Sequence, residues 1–155
     1  MKAVVSKSNL ADLVGLKKAL GNALTGTAKA IKVDYGVTTQ TWAKRPGFVI
    51  TKFGPFSISV ATDNEIYGYV DDGTRAHIIS PKRAKVLAFG STYRPKTSVR
   101  VIGSTGGGKG GDIVHAMVVH HPGTDAREFT ETIADKWEKQ SPVIMQAAIN
   151  AGAGK

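Results

Sequence analysis

The sequence predicts an α+β fold: a largely antiparallel β-sheet of about six strands flanked by an N-terminal helix and a C-terminal helical segment. Three observations lead there. Apolar residues recur at helical spacing near both ends, the middle reads as short β-rich runs, and Gly, Pro and Asp punctuate those runs. At 155 residues the chain suits one domain, residues 1–155, which can bury roughly two thirds of its unfolded surface.

The elements follow in order. MKAVVS, residues 1–6, is short and β-rich. Ser8 or Asn9 then offers an N-cap, with Asp12 in the first turn. Leu20, Leu24, Ala28, Ile31, Tyr35 and Trp42 fall three, four or seven apart, on one helical face. Gly21 and Gly26 are candidate breaks, and Gly36, Thr38 and Thr39 weaken the later turns. Lys44-Arg45-Pro46-Gly47 ends the helix, because proline disfavours helix in the residue before it. FVITKF (48–53) and FSISVA (56–61) read as strands about the turn Gly54-Pro55. EIYGYV (65–70) reads as a strand running into the turn Asp71-Asp72-Gly73. HIIS, KVLAF, SVRVI (98–102) and DIVHAMVV (112–119) complete the set, with prolines 46, 55, 81 and 95 between strands. Residues 103–111 read as a flexible Gly-rich hairpin loop. Thr124 or Asp125 is placed to cap the C-terminal helix, whose Phe129, Ile133 and Trp137 step by four. Ser141-Pro142 stops that helix and starts another bearing Val143, Ile144, Ala147 and Ala148. Residues 151–155, AGAGK, read as a loose tail.

Composition excludes whole classes of chemistry. There is no cysteine, so disulfides, thiolate catalysis and cysteine metal sites are out; this fits a reducing cytoplasm. No run approaches the ~20 apolar residues of a membrane span, and the first residues lack the apolar block of a signal peptide. The net charge of +9 is uneven. Residues 1–62 carry +7, residues 63–73 carry −4, residues 74–111 carry +8 with no acid, and residues 112–155 carry −2. Such a layout fits a polyanion partner, or copies of the chain meeting basic face to acidic face.

GSTGGGKGG, residues 103–111, invites a phosphate-loop reading. Gly103, Gly108 and Lys109 fit the pattern, but Gly110 stands where a magnesium-binding hydroxyl is required, and the following residues read as a strand rather than a helix. His115 and His120 face opposite sides of a strand, His121 reads as lying in a turn beside Pro122-Gly123, and no carboxylate cluster joins them, so no metal site is expected. Asp71-Asp72 reads as a turn rather than a catalytic pair. No elbow motif frames a nucleophile. The expectation is a protein that is not an enzyme and takes no cofactor. Arg75, Lys82, Arg83, Lys85, Arg94, Lys96, Arg100 and Lys109, with Phe89 and Tyr93 among them, leave a small basic nucleic-acid-binding module as the alternative, without any sequence-reading motif.

Two segments carry a family resemblance: YVDDGTRAHIISPKRAKVLAF (69–89) and VVHHPGTDAREF (118–129). Together they resemble the neck, or tail-completion, proteins of long-tailed bacteriophages, also described as head–tail joining or minor tail proteins. One departure is Glu128, which stands where that family commonly has proline before the helix-opening phenylalanine. The resemblance implies a structural virion protein, made in the host bacterial cytoplasm, with six or twelve copies in a ring at the head–tail junction, around the channel through which DNA leaves. A tail-terminator ring is the neighbouring alternative. Implied partners are copies of the chain itself, the adjacent head-completion and tail-terminator or tail-tube proteins, and non-specific contact with channel DNA. Arg75, His77, Lys82, Arg83, Lys85 and Lys109 are then candidate subunit or DNA-channel contacts. Asp71, Asp72, Glu131 and Asp135 are the acidic interface candidates. Gly73 permits the first turn, Pro122 and Gly123 turn the last strand toward the helix, and Phe129 anchors that helix in the core.

Overall fold

A computed structural model describes residues 7–94, 96–103 and 107–153; the expected strand at residues 1–6 lies outside them. The fold is α+β. Helix α1 (Lys7–Thr38) is followed by β1 (Val49–Gly54), β2 (Ser57–Ala61), helix α2 (Glu65–Asp71), β3 (His77–Ile79), β4 (Leu87–Tyr93), β5 (Lys109–Ala116), β6 (Val119–His121) and helix α3 (Phe129–Gly152). The strands do not form one sheet. They pair as three separate antiparallel ribbons: β1 with β2, β3 with β6, and β4 with β5. Two of the expected strands do not form. Residues 65–70 are helical, and residues 98–102 are turn and bend around Arg100, whose φ is 56°.

The chain divides into two compact units. The first contains most of α1, the β1–β2 hairpin and most of α3. The apolar stripe of α1 is as spaced in the sequence, with Leu20, Leu24 and Ile31 half-buried and Ala28 buried. Gly21 and Gly26 do not break this helix. Each costs roughly 1 kcal/mol against alanine, which the continuous stripe offsets. The helix begins at Lys7, so Ser8 and Asn9 lie inside it rather than capping it.

Helix α3 likewise runs through Pro142 without stopping. An interior proline removes one backbone bond and costs about 3 kcal/mol. The face made by buried Ile133 and half-buried Trp137, Ile144 and Ala148 continues across it and holds the helix together. The expected loose tail is helical through Gly152. That glycine sits so close to α1 that a Cβ would lie 2.8 Å from the Leu16 Cα and 3.0 Å from the Ala19 Cβ. The hairpin pairs Val49 with Ala61 and Ile50 with Val60, with a register shift between Lys52 and Gly54.

The second unit contains the end of α1, the four strands β3 to β6, α2 and the first turn of α3. Its core is aromatic and centred on Tyr67. The Tyr67 ring meets Tyr35 edge-on at 6.0 Å, Trp42 at 6.3 Å and Phe129 at 6.2 Å, separations favourable for ring pairs. Tyr67 is delivered by α2. That helix forms because the Asn64 carboxamide oxygen accepts the Tyr67 N–H at 2.9 Å and Glu65 lies in the first turn, an N-cap with an acid beside the positive helix end.

In the other ribbon, β4 and β5 form a hairpin with a bulge. Gly90 pairs with Ile113 and Thr92 with Gly110, so two residues of β5 oppose Ser91. Gly111 takes φ 81° there, the left-handed position of a glycine bulge. Lys109, Gly110 and Gly111 are thus strand residues, not part of a loop.

Candidate functional site

The two segments that carry the family resemblance are brought together in the second unit. Thr74 and Thr124 form an antiparallel bridge, with N–H to carbonyl bonds of 2.9 and 3.0 Å. The ribbon of β3 and β6 continues it, pairing His77 with His121, Ile78 with His120 and Ile79 with Val119. Gly73 and Gly123 flank the bridge at φ 77° and 100°. Each is a glycine for two reasons. A side chain strains at positive φ, and there is no room for one: a Cβ on Gly73 would stand 2.6 Å from the Thr124 carbonyl oxygen, and one on Gly123 would overlap the Thr74 carbonyl. Thr124 is therefore a ladder residue and not the cap of α3.

That cap comes from Asp71. Its Oδ1 accepts the N–H of Phe129 at 2.5 Å and of Thr130 at 3.1 Å, and its Oδ2 accepts the Thr130 hydroxyl. Its carbonyl accepts the N–H groups of Arg127 and Glu128. Asp71, expected as an exposed acidic contact, is thus buried, at 8% exposure, and satisfies the orphan donors of a helix that starts 58 residues later. The carboxylate also meets the positive end of that helix.

The residue in the local cap position, Glu128, cannot serve. It has φ 55° and turns its side chain to the Arg100 guanidinium, while the Arg100 N–H donates to the Arg127 carbonyl at 3.0 Å. Proline, locked near −65°, has no access to this backbone. Arg100 also approaches Glu131 at 3.9 Å. One contact between the basic stretch and the acidic start of α3 is therefore made within the chain. Lys96 is likewise engaged, donating to the Thr41 carbonyl at 3.0 Å.

Of the basic candidates, Arg75 and His77 are brought together. With Tyr69, Gly73 and Thr74 they line an open recess of about 520 Å³. The His77 Nδ1 donates to the Arg75 carbonyl at 2.8 Å; a carbonyl only accepts, so that nitrogen carries the proton. The His121 ring stacks on His77 at 5.0 Å, and its Nδ1 accepts the Gly123 N–H. His121 is thus a strand residue, and the pairing with His77 was hidden in the sequence by the long stretch of chain between them. Among the described residues no group of three or more His, Asp or Glu side chains stands close enough to hold a metal ion. Lys82, Arg83 and Lys85 are exposed on the bend between β3 and β4, and Lys109 opens β5, exposed, apart from Arg75 in the chain's ladders. Asp72 is exposed at the end of α2, Glu131 and Asp135 are exposed on α3, and Pro122 is exposed beside Gly123. Phe129 is 1% exposed.

Burial pushes the Tyr67 phenol well above its ordinary value, and the nearby Asp71 carboxylate pushes in the same direction; the Thr130 hydrogen bond opposes them. Tyr35 is raised for the same leading reason. The unfolded chain then releases these protons first, near pH 10. The stabilisation is complete below that pH and is lost as pH rises toward the folded values. Absorbance titration of tyrosinate, followed alongside circular dichroism, is expected to show Tyr67 and Tyr35 ionising only together with unfolding. Tyrosines that all titrate alike in a chain that stays folded would contradict the buried cluster.

Among the described residues no helix is long and apolar enough to cross a membrane. Comparison with protein-family models, with curated proteins and with solved structures finds no match to this chain.

Proposed function

We propose that this chain is a structural subunit of a virion, in which copies join into a ring at the head–tail junction of a long-tailed bacteriophage. One observation carries the assembly part of the reading. Within each compact unit large apolar side chains stand out in solvent. Phe53 and Phe56 of the first unit are 72% and 52% exposed, and Ile66, Tyr69, Ile78 and Ile113 of the second are more than half exposed. Exposed apolar area on this scale marks surfaces that other chains cover. The choice of a neck ring among possible assemblies rests on the resemblance of residues 69–89 and 118–129, which form one ladder.

A ring needs two different patches, each meeting the other on the next copy. Arg75, Lys82, Arg83 and Lys85 remain exposed for such a seam on the basic side, and Asp72 and Asp135 on the acidic side. Native mass spectrometry of the purified chain and immunogold electron microscopy of phage particles test the reading. A closed oligomer of six or twelve copies, with label at the neck, is expected; label at the tail end of the junction would assign a tail-terminator ring instead. The Phe53→Ser, Phe56→Ser double variant should fold yet lose oligomers by at least about tenfold in association constant, since each buried phenyl ring is worth roughly 1.5–3 kcal/mol. A chain that stays monomeric at every concentration and is missing from particles would end the proposal.

A further inference from the structure

The segment that failed as a nucleotide loop still builds a charged recess. Thr92, Arg94 and Lys109, with the glycines Gly107, Gly108, Gly110 and Gly111, line an open hollow of about 480 Å³ at the mouth of the β4–β5 hairpin. Its frame is fixed. The Arg94 N–H donates to the Gly108 carbonyl at 2.9 Å, Tyr93 pairs with Lys109, and Thr92 pairs with Gly110. Gly110 cannot be crowded from across the ribbon, because a Cβ on Gly90 would stand 2.7 Å from its carbonyl oxygen. The glycines carry no side chains, so an anion can approach the backbone closely.

The charge is the second feature. Of the cations in the acid-free stretch, Lys96 and Arg100 are used inside the chain. Arg94 and Lys109 have no ion-pair partner among the described residues, and no acid lines the hollow. Asp112, the nearest acid in sequence, is not among the lining residues. A guanidinium and an ammonium beside a hydroxyl are a donor set for phosphate oxygens. The lack of a following helix and of a magnesium-binding hydroxyl argues against a triphosphate held for hydrolysis.

We propose that this hollow grips the phosphate backbone of a polynucleotide, with Arg94 and Lys109 on adjacent phosphates and no base readout. The site belongs to a single chain and stands whether or not copies form a ring.

Fluorescence anisotropy with a short mixed-sequence DNA duplex tests it, using the full chain between roughly 50 and 200 mM salt. The Arg94→Ala, Lys109→Ala double variant is compared with a Lys82→Ala, Arg83→Ala double variant that removes the same charge. The first should weaken binding by about tenfold or more and flatten the salt slope by roughly 2, while the second changes both far less. Arg94→Lys with Lys109→Arg should restore most of the slope. Equal losses in the two alanine pairs would reduce the effect to net charge and overturn the site, as would a duplex that binds neither the parent chain nor the variants. Inorganic phosphate should compete only at far higher concentration than DNA. If phosphate alone saturates the hollow while the duplex does not bind, the polymer assignment fails. Native mass spectrometry of the same variants should leave the oligomeric state unchanged, so failure of this site and failure of the assembly reading give different results.

Discussion

Replacing Asp71 with alanine is expected to destabilise the chain by about 3 kcal/mol, the sum of two costs. Removing a helix cap costs roughly 0.5–2 kcal/mol. Leaving buried donors without an acceptor adds about 1–3 kcal/mol. Three donors converge on this carboxylate: the N–H groups of Phe129 and Thr130 and the Thr130 hydroxyl. The first of these belongs to a residue that is 1% exposed, so water cannot replace the lost acceptor. A fall in melting temperature of roughly 6–12 °C corresponds to that cost in a chain of this size. Asp71→Asn keeps one acceptor oxygen and should recover part of the loss. Urea unfolding followed by tryptophan fluorescence reads the effect. An alanine variant within about 0.5 kcal/mol of the parent would show that the cap is not what starts the helix.

Alanine at Gly73 or at Gly123 should each cost about 2–4 kcal/mol, since positive φ alone strains a side chain by about 1–2 kcal/mol and the overlap adds overpacking. Backbone, not a flexible side chain, stands opposite both positions, so neither site can yield cheaply. Both substitutions break the same bridge between Thr74 and Thr124. The double variant should therefore lose less than the sum of the two, a coupling of at least about 0.5 kcal/mol. Hydrogen exchange at the Thr74 and Thr124 amides gives a local readout. Additive losses, or amides that stay protected, would mean the two glycines serve separate purposes.

Both helices at the chain ends were legible in the sequence because their stripes keep one period over many turns. The spacing of Leu20, Leu24, Ala28, Ile31 and Tyr35 announces α1, and that of Phe129, Ile133 and Trp137 announces α3. Single breakers weigh less than their residue type suggests: Gly21, Gly26 and Pro142 each impose a local cost that packing along the whole face outweighs. The α2 segment misleads for the opposite reason. Ile66, Gly68 and Val70 alternate as in a strand, and that alternation masks the helix start signal supplied by Asn64 and Glu65. The candidate site was legible only in part. Gly73, Gly123 and Phe129 are marked by residue type. The carboxylate of Asp71, the Arg100–Glu128 pair and the His77–His121 stack depend on which distant segments meet, and no local pattern encodes that.

Each of the three ribbons has only two strands, and no third strand joins any of them among the described residues. Their outer borders therefore carry backbone groups ready to template another polypeptide. Lys52 and Lys109 stand as charged guards on β1 and β5. If the chain takes its place in the proposed ring, synthesis matched to that of the proteins covering it keeps the uncovered, clump-prone species scarce.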